Sequence, residues 1–194
     1  REYFEDSLRQ ARKFLNYTKT KMTNGRKQSV REGKFIGNSA PYGYDRYKLA
    51  NQKGYSLRQN EDAEHVKDIF NKYVYEDYSF KTLAMYLNDK GIKPPEAEYW
   101  QPSMVGNLLK RDAYAGYVTY GKSAYKSTMK DGKKIKKRQW QDDYLRCKGL
   151  HTAIVDEETF NKAQVIKKDR NFKKVPDAYE LQNPFSGLIK CKCG

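Results

Sequence analysis

The sequence predicts a mainly helical α+β fold: a long N-terminal helix, a helix-turn-helix-like core and a small β-hairpin or sheet. Three observations carry this. Apolar residues recur at spacings of 3, 4 and 7 near the start and again in later segments, the period of amphipathic helices. Alternation of the strand type is confined to a stretch after Asp112. Gly, Pro and Asn cluster between these regions as turn signals.

The first segment, Arg1 to Glu32, reads as one helix with Phe4, Leu8, Ala11, Leu15 and Met22 as a narrow apolar stripe. No acid occurs from Ser7 to Arg31, while Arg9, Arg12, Lys13, Lys19, Lys21, Arg26, Lys27 and Arg31 do. A soluble helix ordinarily mixes charges to gain i,i+4 pairs. An unmixed basic helix is suited to lying along a phosphate backbone, and the plain alternative is a solvated basic face. Gly33 to Tyr44 carries three Gly and a Pro, so it reads as an extended arm with aromatics. Lys48 to Gln59 predicts a hairpin around Gln52-Lys53-Gly54.

Asn60 is the expected cap of the next helix, whose acidic first turn (Glu61, Asp62, Glu64) suits the positive end of the dipole. Ala63, Val66, Ile69, Phe70 and Tyr73 share one face. Ser79 caps a second helix with Phe80, Leu83, Ala84 and Leu87 inward and Gly91 just past its end. Pro94-Pro95 forces a loop. Pro102 opens a third, short helix with Val105, Leu108 and Leu109 inward and Met104, Asn107, Lys110 and Arg111 outward. The link from Gly91 to Gln101 is longer than the standard helix-turn-helix turn. Tyr114, Gly116, Val118 and Tyr120 then alternate as a strand. Gly121 to Arg138 holds eight cations against one acid, with Asp131-Gly132 as a turn signal. This predicts a strand, a basic tip and a return strand toward Trp140 and Tyr144. A last helix runs from Asp156 to Arg170, followed by a polar linker.

The 194 residues suit one or two small domains, and 14% aromatic content is too high for a disordered chain. A net charge of +15 points to a polyanionic partner. No apolar run is long enough to span a bilayer, and the basic tip lacks apolar anchors for a membrane surface. Three Cys argue against a closed disulfide framework, and a reducing cytoplasm is expected. Phosphate-cradling glycine motifs are missing. Cys147 and His151 are the one pair with nucleophilic chemistry, and no third partner or oxyanion signature accompanies them. Cys191 and Cys193 before Gly194 are two closely spaced thiols, half of the four ligands that zinc takes. Both chain ends read as cuts inside a longer protein.

Several segments in order resemble the large serine recombinases, the phage integrases and transposon recombinases. They are Gly33-Lys34-Phe35-Ile36-Gly37 with Pro41-Tyr42-Gly43-Tyr44; Asn60 to Phe70 leading into Leu83 to Ile92; and Trp100-Gln101-Pro102-Ser103-Met104-Val105 with Leu108 to Gly116. His151 to Phe160 and Phe185 to Cys191 complete the series. The resemblance implies residues 1–34 as the helix from a preceding catalytic domain, 35–170 as the recombinase DNA-binding domain, and 171–194 as a linker and the start of a zinc ribbon. It implies sequence-specific binding of a double-stranded attachment site for integration or excision of a mobile element, with other recombinase subunits as partners. The nucleophilic serine would lie before Arg1, so this chain by itself is expected not to be an enzyme. No cofactor is expected in this chain, and zinc is expected in the full-length protein, although one residue between Cys191 and Cys193 departs from the usual two.

Carried onto these residues, Arg26, Lys27, Arg31, Lys34 and Tyr42 follow the backbone or minor groove. Ser103, Met104, Asn107, Lys110 and Arg111 enter the major groove. Lys122, Lys133, Lys134, Lys136, Lys137 and Arg138 hold flanking phosphates, which position without specifying sequence. An RNA-binding or ribosome-associated protein shares the charge and the tyrosines, but does not require the ordered segments.

Overall fold

A computed structural model describes residues 2–130, 133–141 and 143–172. The elements are helix α1 (Glu2–Arg31), strands β1 (Tyr44–Lys48) and β2 (Tyr55–Gln59), and helices α2 (Ala63–Tyr75), α3 (Phe80–Asp89) and α4 (Pro102–Leu108). A 3₁₀ turn (Asp112–Ala115) follows, then β3 (Tyr117–Tyr120), β4 (Ser123–Lys130), β5 (Lys133–Trp140), β6 (Leu145–Lys148) and helix α5 (Glu157–Phe172). The expected mainly helical α+β class is what the chain adopts.

α1 is exposed along its length until Val30, which is fully buried. The narrow apolar stripe is open: Phe4 is 67% exposed and Met22 58%. The helix is tied to the body at its C-terminal end. There Lys34 N–H donates to the Ser29 carbonyl at 2.9 Å and Leu150 N–H to the Gly33 carbonyl at 2.9 Å. Gly33 makes this junction, because its φ is +73° and a Cβ would lie 2.8 Å from the Lys148 carbonyl oxygen. Gly43 plays the same part under α2, at φ +84° with Val66 2.8 Å from where a Cβ would stand.

The core lies between α2, α3, α4 and α5, closed by tyrosines from the arm and the 3₁₀ turn. Tyr44 stacks on Tyr114 at 6.0 Å, and Phe70 meets Tyr114 edge-on at 5.8 Å. Two of the tyrosine hydroxyls are bonded to main-chain carbonyls: Tyr44 donates to Thr152 at 2.8 Å and Tyr114 to Tyr42 at 2.9 Å. α3 starts in a capping box between Ser79 and Thr82. The long α3–α4 link is closed by a two-way clasp, with Trp100 N–H donating to Asn88 Oδ1 at 2.7 Å and Asn88 Nδ2 to the Trp100 carbonyl at 3.0 Å. Trp100 Nε1 also donates to the Ile92 carbonyl at 3.0 Å. These bonds explain how a link too long for a tight turn still brings α4 against α3. Val105, Leu108 and Leu109 are buried there, as their spacing predicts.

Four local expectations need correction. α2 is capped at Asp62, and Asn60 instead accepts the Asp62 N–H at 3.1 Å, an Asx turn placed before the helix. The first hairpin begins at Tyr44 and not at Lys48, because Tyr44 is the buried end of the ladder. Tyr114 sits in the 3₁₀ turn and not in a strand, and Gly116 at φ +80° turns the chain into β3. The basic stretch is no loop tip: β4 and β5 form an eight-residue antiparallel ribbon, and β6 returns to pair with β3 at its base. Asp131 and Gly132 lie outside the described residues.

Candidate nucleic-acid interface

α4, the β3–β4 junction and the ribbon enclose a groove of about 1120 Å³. Asn107, Lys110, Arg111, Lys122, Arg138 and Trp140 line it, together with Phe35, Ile36 and Gly37 of the arm. A second groove of about 610 Å³ lies between the end of α1 and the root of the ribbon. Arg26, Lys27 and Arg31 line it, facing Tyr120, Gln141 and Tyr144. Ser123, Gln141 and Tyr144 line both grooves, so the ribbon root separates them.

Asn107 is exposed on the last turn of α4. Lys110 and Arg111 lie past the helix, which ends at Leu108, and not on it as the spacing suggests. The chain leaves the helix early because Leu109 is fully buried and Asp112, 7% exposed, starts the next turn. Ser103 is exposed in the first turn of α4, while Met104 is partly buried against the core. Arg138 holds its guanidinium 4.6 Å over the Trp140 ring and donates to Ser123 Oγ at 3.0 Å. Lys133, Lys136 and Lys137 are exposed on β5. The Lys134 side chain, and Cys191 and Cys193, lie outside what is described.

Lys34 is buried and Tyr42 half-buried against the core, and neither lines either groove. Lys34 is 9% exposed, and its Nζ pairs with Glu32 at 2.6 Å beneath Gly54. Tyr42 donates to Asp62 Oδ1 at 3.1 Å and meets Trp100 edge-on at 5.2 Å.

The base of the first groove is electrostatically organised. Asp112 accepts from Lys122 Nζ and lies 3.5 Å from Arg146 Nε. Arg146 in turn stacks 3.6 Å over Tyr117. Lys167 on α5 closes the cluster. Burial first, and then the nearby charges of Lys110 and Lys122, push its amine down to about 8. Sequence reasoning missed Lys167, Arg146 and Gln164. Gln164 lines the groove and donates to the Leu109 carbonyl at 2.7 Å. Only its place one turn before Lys167 in a helical pattern links the two.

No Cys–His dyad forms. His151 is 7% exposed, with Nε2 2.8 Å from the Ala113 carbonyl oxygen and the ring edge-on to Tyr44 at 5.4 Å. Its Nδ1 has no partner among the described residues, so Cys147, a free thiol on β6, is not bonded to it. Burial holds the imidazole below its ordinary value, which suits a packed residue of the core. Among the described residues no group of three or more His, Cys, Asp or Glu could hold a metal ion, and no helix is long and apolar enough to cross a membrane.

A family model described as Recombinase matches residues 60–170, more than half of the chain. A Bacillus subtilis (strain 168) protein with the name "Putative DNA recombinase" is 28% identical over 191 residues, covering 91% of this chain and 36% of that protein. Two solved structures share the fold. A chain from the "Crystal Structure of a LSR-DNA Complex" gives a TM-score of 0.55 at 23% identity over 78% of this chain and 38% of that one. A chain from a structure on the sequence requirements of the Listeria innocua prophage attP site gives 0.53 at 24% identity over 76% of this chain and 51% of that one. The chain therefore spans little more than a third of the length of its curated relative.

Proposed function

This chain belongs to the Recombinase family, and from that premise we propose that it is the target-recognition part of a large serine recombinase, binding a double-stranded attachment site in a sequence-specific way. The observation that carries the reading is convergence. Asn107, Lys110 and Arg111 from one segment, Lys122 from a second and Arg138 from a third line one groove. Asn107 presents an amide suited to adenine, and Arg111 a guanidinium fork suited to guanine or phosphate. Lys110, Lys122 and Lys167 hold phosphate at the base. Arg26, Lys27 and Arg31 extend the contact along α1.

In this reading residues 1–34 connect to a preceding catalytic domain that supplies the nucleophilic serine. Residues 35–170 are the DNA-binding domain, and 171–194 lead into a zinc ribbon. Cys191 and Cys193 would give two of its ligands. Other recombinase subunits and the mobile element's integration or excision belong to the full protein.

The test compares a duplex with the same single strand across a salt series. Tighter duplex binding with a steep salt slope supports the proposal. Preference for the single strand, or for RNA, favours the RNA-binding alternative, whose bases stack on aromatics.

A further inference from the structure

The β4–β5 ribbon carries a periodic display that its register makes explicit. Side chains of a strand alternate between faces. Lys126 stands opposite Lys137, Thr128 opposite Ile135, and the three β5 residues Lys133, Ile135 and Lys137 share that face. The other face holds Tyr125 opposite Arg138 and Ser123 opposite Trp140. Ala124 belongs to the lysine face and lines the groove with Arg26, Lys27 and Arg31. Ser123, on the face that also carries Lys136 and Arg138, lines the same groove, so the root of the ribbon as a whole adjoins the basic end of α1.

Like charges directly opposite one another destabilise a ladder. Lys126, Lys133 and Lys137 are exposed, and none has an ion pair among the described residues. The repulsion is uncompensated within the described chain. Four residues of antiparallel strand separate Lys137 from Lys133, about 14 Å at the usual rise per residue. The major groove of B-DNA is about 12 Å wide and admits a two-stranded ribbon. Two cationic positions at that spacing, with a Thr and an Ile between them, match two phosphate backbones with base edges between them. Ile135, 36% exposed, stands between Lys133 and Lys137 on that face and is open to contact.

We propose that the β4–β5 ribbon crosses the major groove of a DNA duplex on its lysine face, with Lys126 and Lys137 on one phosphate backbone, Lys133 on the other, and Thr128 and Ile135 against the methyl groups of thymine. The inference rests on the duplex-binding reading above and adds a second groove-reading element beside α4.

The test uses the full chain and a duplex that the wild-type protein selects from a randomised pool. Phosphate ethylation interference is mapped for wild type, Lys133→Ala, and the Lys126→Ala/Lys137→Ala pair. The single variant is expected to lose interference on one strand and the pair on the opposite strand across the same groove, with salt slopes shallower by about 0.9 and 1.8 respectively. Lys133→Arg keeps the wild-type footprint. Replacing thymine by uracil at the central position weakens wild type and leaves Ile135→Ala unchanged, because the methyl contact is already gone. Loss of the same phosphates by both lysine variants, or unaltered footprints with tight duplex binding retained, overturns the ribbon placement while leaving duplex recognition standing. Failure of the wild type to select any duplex overturns both. Thermal melting of each variant shows that the changes come from a folded chain.

Discussion

Asn107 and Arg111 both line the first groove at the end of α4, and their chemistry predicts different losses from those of the lysines. Asn107→Ala is expected to cost about 1–3 kcal/mol at one base pair and to relax choice there. Binding constants on cognate and substituted duplexes check this, and a uniform loss across all sequences would refute the assignment. Lys167 predicts a pH effect. Its folded-state value of about 8 lies below the ordinary 10.5. The unfolded chain therefore holds the extra proton between those values, and stability rises with pH across that window. Binding runs the other way, because phosphate favours the ammonium form: affinity falls as pH rises through about 8. Lys167→Gln is expected to weaken binding near neutrality and to flatten this dependence, as anisotropy titrations at several pH values would show. Lys34 gives the contrast. Nothing in its flanking sequence distinguishes it from Arg31, yet it is buried on Glu32. Lys34→Ala is expected to lower thermal stability and leave the salt slope of binding unchanged.

At the scale of elements, α3 and α4 depend on a bond pattern that local propensity does not encode. The Asn88–Trp100 clasp replaces the short turn of a standard helix pair. Trp100→Ala is expected to destabilise the domain by about 3–5 kcal/mol through the cavity left by a residue only 4% exposed. Denaturant unfolding measures this, and duplex affinity should fall with it as α4 loses its seat. Helix faces were readable here because burial follows a 3.6-residue period: Val66, Ile69, Phe70 and Tyr73 are all buried. The ribbon was less readable. Its exposed faces have no hydrophobic contrast, so a run of lysines looks like a solvated loop until strand pairing is known. The α1 stripe shows the reverse limit, since periodicity indicates an apolar face and not what covers it.

Across the whole molecule, two basic grooves are held in register by the junction at Gly33. Any side chain there meets both an unfavourable φ and the Lys148 carbonyl. Gly33→Ala is expected to lower the melting temperature and to redirect α1, shortening the footprint at that end while the α4 contacts persist. Hydroxyl-radical footprinting would detect the change. The sequence by itself determined the class of fold, the faces of α2 to α4, the strongly positive charge and the family resemblance, because these rest on periodicity, summed charge and ordered local motifs. Tertiary structure decided which cations share a groove. Lys110, Lys122 and Lys167 are separated along the chain, and the packing of α5 against the core brings Lys167 close enough to the other two for their charges to help lower its pKa. It also withdrew Lys34 from the surface, since a side chain's exposure is set by what folds over it and not by its own polarity.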